Sequence, residues 1–133
     1  MKKKGVLNSE LARMIAGIGH GDMLVICDSG FPIPHNRPVA DVVLTINMPP
    51  LIDTLNVILE ELHAEEAIVT HEMERISKPM YQRVRKSLGD IPVRKISHAK
   101  FKTLTRSADN ISFVRTGEAT KFSNLILVAG VIF

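Results

Sequence analysis

Two side chains near the start of the chain have the types and the setting needed for proton transfer. His20 stands between Gly19 and Gly21, after a helix-like segment and before a strand-like one, so its imidazole is predicted to be accessible. Asp28 directly follows the apolar run Met23–Cys27, at the kind of strand end where open α/β sheets bind ligands. If the carboxylate lies beside His20, it orients the ring for acid–base catalysis near neutral pH. A helix cap for His20 and an Asx turn for Asp28 are the structural alternatives.

The remaining polar residues favour ligand binding over a metal site or a nucleophile. His98 follows another strand-like segment, where it either binds a ligand or caps the next helix. The spacings His-x-x-x-His and Cys-x-x-Cys are absent, which argues against zinc, and no Gly-x-Ser-x-Gly motif marks a serine hydrolase. The lone Cys27 is predicted to be a small buried hydrophobe instead of a catalytic thiol. Gly17-x-Gly19-x-Gly21 precedes a strand, so it is not a phosphate-binding loop.

Spacing of apolar residues predicts the elements that position these side chains. A first helix begins at Asn8 or Ser9 and ends before His20. Further helices are predicted at Leu51–His63, Pro79–Leu88 and His98–Arg106, and strands at Met23–Cys27, Val42–Thr45, Ala67–Thr70, Ile91–Ile96, Ile111–Arg115 and Leu125–Phe133. Strands separated by helix-length segments indicate a layered α/β domain with a largely parallel sheet, in which the last two strands are able to pair antiparallel.

Composition limits the class of protein. The chain has 133 residues, 45% of them hydrophobic, which suits one ordered domain and excludes disorder. No apolar run is long enough to span a membrane, the polar residues after Lys2–Lys4 interrupt a signal peptide, and the single cysteine is typical of a cytoplasmic protein. Basic residues are interleaved with acidic ones and only six residues are aromatic, so nucleic acid is disfavoured as a partner.

Five short motifs, taken in order, resemble the D-ribose pyranase family of sugar mutarotases. They are Met1-Lys2-Lys3 with Gly5-Val6-Leu7-Asn8, Gly19-His20 with Asp22, Asp28-Ser29-Gly30 with Pro32 and Pro34, Ser97-His98 with Phe101-Lys102, and Arg115-Thr116-Gly117-Glu118 with Asn124 and Ala129-Gly130-Val131 through Phe133. No single motif is specific, but their order and spacing are. The resemblance covers residues 1–133 as a single sugar mutarotase domain.

The resemblance implies an isomerase that interconverts the pyranose and furanose forms of D-ribose without a metal or cofactor. It also implies a three-layer α/β/α sandwich with a largely parallel mixed sheet, and a homo-oligomer, commonly a decamer of two stacked pentamers, with sites near subunit boundaries. Gly19-His20-Gly21-Asp22 is also similar to the L-fucose mutarotases. A mutarotase for another sugar and a non-catalytic sugar-binding module therefore stay open.

The same resemblance assigns roles to individual residues. His20 matches the catalytic proton donor, Asp28 and His98 match sugar-binding positions, and Asn124 matches the asparagine of a Tyr-x-Asn motif. Lys102 lies near the implied site. One position departs from the family, since Phe122 stands where the motif has tyrosine, and the hydroxyl contact is lost while the ring still packs on the sugar.

The C-terminal segment is the most apolar part of the chain. Nine residues, Leu125 to Phe133, carry no charge, and a small domain has difficulty covering such a segment by itself. We expect it to lie against a neighbouring subunit or in the central sheet beside one.

Overall fold

A computed structural model describes residues 1–133, which form five helices and six strands. The helices are α1 (Ser9–Gly17), α2 (Leu51–Leu59), α3 (His71–Ile76), α4 (Lys78–Leu88) and α5 (His98–Ser107). The strands are β1 (Met23–Cys27), β2 (Val39–Asp41), β3 (Ala64–Thr70), β4 (Val93–Ile96), β5 (Ile111–Arg115) and β6 (Leu125–Ala129). None of the helices combines the length and apolarity that crossing a bilayer demands.

The six strands form one mixed sheet in the order β2-β5-β1-β6-β3-β4. Neighbouring strands are parallel except that β6 runs antiparallel between β1 and β3. The carboxyl ends of the five parallel strands and the beginning of β6 therefore lie along one side of the sheet. We call this row of strand ends the carboxyl edge. The opposite edge, where β1 begins and β6 ends, is the amino edge.

Helices and loops cover both faces of the sheet, which confirms the predicted three-layer arrangement. Alternate residues of β1 face opposite sides, with Leu24 and Ile26 in one core and Val25 and Cys27 in the other. The first core packs beneath α1, α2 and α4, and the second lies beneath α5 and the loop that follows β1. The prediction of a buried Cys27 is confirmed, and burial raises the pKa of its thiol far above the ordinary value.

Two strand predictions were wrong for physical reasons. The second strand is Val39–Asp41, paired with β5, and the apolar residues predicted as Val42–Thr45 instead lead into a tight turn closed by a bridge between Thr45 and Met48. The last two strands do not pair with each other, because β6 is buried on both faces and occupies the centre of the sheet between β1 and β3. Strand β6 also ends at Ala129, which leaves the side chains of Ile132 and Phe133 exposed.

Other boundaries moved by a few residues. Helix α2 ends at Leu59 instead of His63, and β3 begins three residues earlier than predicted, at Ala64. Helix α3 was missed, although Thr70 caps it by accepting a hydrogen bond from the backbone N–H of Met73 at 3.1 Å. Strand β4 begins at Val93 instead of Ile91, and it is an outermost strand of the sheet, where the preceding Pro92 is tolerated.

Candidate active site

A cleft at the carboxyl edge brings together the five residues predicted to bind a sugar. Its volume is about 210 Å³, below the roughly 300–1,000 Å³ of pockets for drug-sized ligands, so a small polar molecule is the better fit. The antiparallel direction of β6 is what places its first residues beside the end of β1. The lining residues are Asp28, Gly30, Phe31, Pro32, His98, Lys102, Lys121, Phe122 and Asn124.

Asp28 and Asn124 hold each other by a reciprocal pair of hydrogen bonds. The backbone N–H of Asp28 donates to Asn124 Oδ1 at 3.0 Å, and Asn124 Nδ2 donates to Asp28 Oδ2 at 2.9 Å. The N–H of Gly30 donates to Asp28 Oδ1 at 3.1 Å, so the Asx turn is real, yet the carboxylate also faces the cleft. An ionised carboxylate accepts about four hydrogen bonds, which leaves two for ligand hydroxyls.

Burial raises the pKa of Asp28 despite three opposing influences. The hydrogen bonds from Asn124 and Gly30 and the nearby His98 each favour the ionised form. Each further hydrogen bond that this carboxylate accepts offsets part of the free-energy cost of its desolvation. It is therefore suited to bind hydroxyl groups.

His98 is the first residue of α5, and its ring forms one wall of the cleft. The cap of this helix is Ser97, whose Oγ accepts from the N–H of Lys100 at 3.2 Å, so His98 is not the cap. The backbone N–H of His98 donates to Glu72 Oε2 at 2.8 Å. Its Nδ1 is buried and has no hydrogen-bond partner within the chain.

The pKa of His98 is lowered, first by burial and then by the positive charge of Lys102, although Glu72 and Asp28 act in the opposite direction. A neutral imidazole has one donor and one acceptor nitrogen. The ring of His98 therefore either donates a hydrogen bond to a sugar hydroxyl or accepts one from it.

Phe122 packs edge-on against His98, with ring centroids 5.0 Å apart and an interplanar angle of 84°. Its backbone has a φ of 60°, which is uncommon for a residue with a side chain. Two neighbouring hydrogen bonds hold this turn, from Ser77 Oγ to the carbonyl of Lys121 at 2.6 Å and from the N–H of Asn124 to the carbonyl of Phe122 at 2.9 Å. The segment therefore presents an aromatic ring to the cleft without a phenolic hydroxyl.

Glu118 supports the cleft, a role for which the sequence offered only its place in the motif after β5. Its carboxylate accepts hydrogen bonds from the N–H of Leu51, at the start of α2, and from the N–H of Thr120, both at 3.1 Å. The carbonyl of Glu118 accepts from the N–H of Ser29 at 2.9 Å. Burial favours the neutral acid, but the hydrogen bonds outweigh it and hold the pKa of Glu118 below its ordinary value.

His20 lies in a tight turn at the amino edge. The N–H of Asp22 donates to the carbonyl of Gly19 at 3.1 Å, and Asp22 Oδ2 accepts from the N–H of Gly19 at 2.8 Å. Gly21, with a φ of 81°, supplies the left-handed conformation that the third position of a type II turn requires. The glycines around His20 thus serve a turn, and the imidazole projects with 58% of its side chain exposed.

Within one chain, Asp28 does not orient His20. The whole of β1 separates them, and at about 3.3 Å per residue the two ends of this strand are on the order of 15 Å apart. The carboxylate that His20 contacts is Glu65, with His20 Nε2 and Glu65 Oε2 3.0 Å apart. A single chain therefore holds the five cleft residues on one edge and His20 on the other.

Comparison with known proteins agrees with this architecture. The model of the RbsD / FucU transport protein family matches residues 1–132. The chain is 44% identical to the D-ribose pyranase of Coprothermobacter proteolyticus and 43% identical to that of Petrotoga mobilis, in each case over the full length of both proteins. It superposes on the structure of Bacillus subtilis RbsD complexed with D-ribose with a TM-score of 0.93 at 37% identity, again covering both chains completely. The fold is shared with FucU from Bifidobacterium longum, at a TM-score of 0.72 and 22% identity over 94% of each chain. The chain belongs to the RbsD / FucU transport protein family.

Proposed function

We propose that this chain is an isomerase that interconverts the pyranose and furanose forms of D-ribose. The observation that carries the proposal is the small polar cleft at the carboxyl edge, in a chain that matches a D-ribose complex over its full length. Full-length relatives that are D-ribose pyranases support the same substrate. The buried free Cys27 agrees with a cytoplasmic site of action.

The reaction needs proton transfer and positioning but no change of oxidation state. A proton leaves the anomeric hydroxyl, another reaches the ring oxygen, and the bond between C1 and the ring oxygen breaks to give the open-chain aldehyde. The hydroxyl carried by C4, instead of the one carried by C5, then attacks the C1 aldehyde and loses its proton, while the aldehyde oxygen gains a proton, and the furanose ring closes. We assign Asp28, His98, Lys102 and Asn124 to the sugar hydroxyls and the ring of Phe122 to the apolar face of the sugar. These contacts hold the open-chain sugar in place while its ring closes again.

We assign the acid–base role to His20 supplied by a second copy of the chain. The two edges of one sheet are too far apart for His20 to reach its own cleft, so the amino edge of one copy must meet the carboxyl edge of the next. Contact between different surfaces is heterologous, and it closes into a ring when the rotation allows. Both edges carry exposed apolar side chains suited to such a contact, Leu44 and Ile46 at the carboxyl edge and Ile132 and Phe133 at the amino edge. A decamer of two stacked pentamers stays a prediction of the family resemblance.

Exchange NMR on D-ribose tests the proposal. The wild-type protein is expected to accelerate exchange between pyranose and furanose signals, and His20→Ala to lose roughly 10²–10⁴-fold of that acceleration. Exchange no faster than in buffer, or undiminished in His20→Ala, would sink the assignment.

The absence of a hydroxyl on Phe122 favours a second candidate, a sugar-binding module without turnover. Saturable binding of ribose without faster exchange would select that function. Repeating the measurement with fucose, galactose and allose separates a ribose enzyme from a mutarotase for another sugar.

A further inference from the structure

Glu65, the partner of His20, lies at an irregularity of the sheet. Between β3 and β6, Ala64 pairs with Ala129 and Glu66 pairs with Val128, so β3 advances two residues while β6 advances one. Glu65 is the extra residue of this β-bulge. A bulge turns a side chain away from the direction that regular pleating gives it, and bulges are common beside active sites.

Two close backbone approaches hold the bulge and the His20 turn together. A Cβ on Gly130 would lie 3.0 Å from Glu65 Cβ and 2.9 Å from His63 Cδ2, so only glycine fits there without displacement. The N–H of Gly130 donates to the carbonyl of His63 at 2.9 Å, and the N–H of Gly21 donates to the carbonyl of Ala129 at 2.8 Å. The end of β6 thus ties the segment that carries Glu65 to the segment that carries His20.

We propose that Glu65 is a positioning residue that sets the orientation and tautomer of His20. An ionised carboxylate only accepts hydrogen bonds, so its contact with Nε2 requires the proton of the neutral imidazole to reside on that nitrogen. The other nitrogen, Nδ1, is then the one that takes a proton from the sugar and returns it. The proposal rests on the proposed function for the reaction, but the tautomer is a property of the protein alone.

The two-copy site proposed above has a consequence for the contact between His20 and Glu65. In the single chain 58% of the His20 side chain and 46% of the Glu65 side chain are exposed, and exposed pairs contribute little. When a second copy covers the amino edge, water leaves and the hydrogen bond between the two side chains becomes stronger. The effect of removing Glu65 must therefore be measured on the assembled protein.

Three variants of the full-length protein test the proposal. Glu65→Ala removes the acceptor, Glu65→Gln keeps an acceptor oxygen without the charge, and Glu66→Ala is the matched control. Glu66 is the next residue of the same strand, and its carboxylate pairs with Arg94 Nε at 2.6 Å instead of with His20. Ribose exchange gives kcat and KM for each variant, and long-range ¹⁵N–¹H NMR of the imidazole gives the tautomer of His20.

In Glu65→Ala we expect kcat to fall about tenfold at unchanged KM, which is less than the roughly 10²–10⁴-fold that an acid–base group itself supplies. The His20 spectrum should change from the single Nε2–H tautomer to a mixture. Glu65→Gln should keep the tautomer and lose less activity, and Glu66→Ala should match the wild type in both readouts.

An unchanged tautomer in Glu65→Ala overturns the proposal, and so does a changed tautomer with undiminished kcat. Equal losses in Glu65→Ala and Glu66→Ala also overturn it, because they would reflect general damage to β3. If the wild type fails to accelerate exchange, the proposed function fails, while the tautomer spectrum still decides whether Glu65 holds the ring.

Discussion

Replacing Phe122 with tyrosine is expected to improve the binding of ribose. The ring already lines the cleft and packs edge-on against His98 at 5.0 Å, so tyrosine adds one hydroxyl without moving the aromatic contact. A neutral hydrogen bond contributes about 0.5–1.5 kcal/mol. At tenfold per 1.4 kcal/mol, this corresponds to a KM about two- to tenfold lower in the exchange assay.

A second variant shows whether the gain comes from the cleft. Phe101 is fully buried, and its ring is stacked against that of His98 at a centroid distance of 6.5 Å. Phe101→Tyr places a hydroxyl in the core, which costs about 1–3 kcal/mol of unfolding free energy and brings no gain in KM. Phe122→Tyr should leave the unfolding free energy within about 0.5 kcal/mol of the wild type. An unchanged or higher KM in Phe122→Tyr, with a loss of stability like that of Phe101→Tyr, would refute the placement of the ring.

Four further predictions concern stability and assembly. Glu118→Ala leaves the N–H groups of Leu51 and Thr120 without their acceptor and should cost about 2–4 kcal/mol in urea unfolding at fixed protein concentration. Because the fold lowers the pKa of Glu118, the contribution of its carboxylate to the unfolding free energy is complete above the pKa of the unfolded state, about 4.5. This contribution is lost as the pH falls through the pKa of the folded state. Glu118→Gln should lack this acid-dependent part of the stability. The fold also lowers the pKa of His98. The contribution of this histidine to the unfolding free energy is therefore present above about pH 6.5 and is lost as the pH falls through the pKa of the folded state. In the same titration, His98→Gln should lose less stability below pH 6.5 than the wild type. Deleting Val131–Phe133 removes exposed apolar side chains at the amino edge and should shift the assembly toward smaller species in light scattering, and an unchanged oligomer would contradict the proposed interface.

Strand β1 was predictable to the residue because both of its faces are buried and its composition is uniformly apolar. The same rule misplaced β2, since the side chain of Leu44 is apolar but exposed, in a turn that we assign to a subunit contact. Apolar character in a sequence does not distinguish burial in the chain's own core from burial against a partner. The periodicity of apolar residues could not predict the order of the strands in the sheet either, because the central position of β6 depends on packing between residues that are distant in sequence.

A resemblance that covers the whole chain predicted the five cleft residues. The structure explains why these residues are far apart in the sequence. Asn124 reaches Asp28 across 96 positions only because β6 lies antiparallel beside β1. The condition that His20 lies beside Asp28 is not met within one chain, because strand β1 separates the two residues. Glu65 was not foreseen as its partner, since a one-residue bulge leaves no signal in composition or spacing.

Activity of mixed oligomers tests the two-copy site most directly. His20→Ala lacks the proposed acid–base group, Asp28→Asn lacks the cleft carboxylate, and each is expected to be nearly inactive in ribose exchange. In co-assembled mixtures, a cleft from a His20→Ala chain meets an intact His20 from an Asp28→Asn chain at about one quarter of the contacts. We predict recovery of about one quarter of the wild-type exchange rate per chain in equimolar mixed oligomers, verified by co-purification of two different tags. Mixed oligomers that form but stay as inactive as either parent would contradict a site shared between copies.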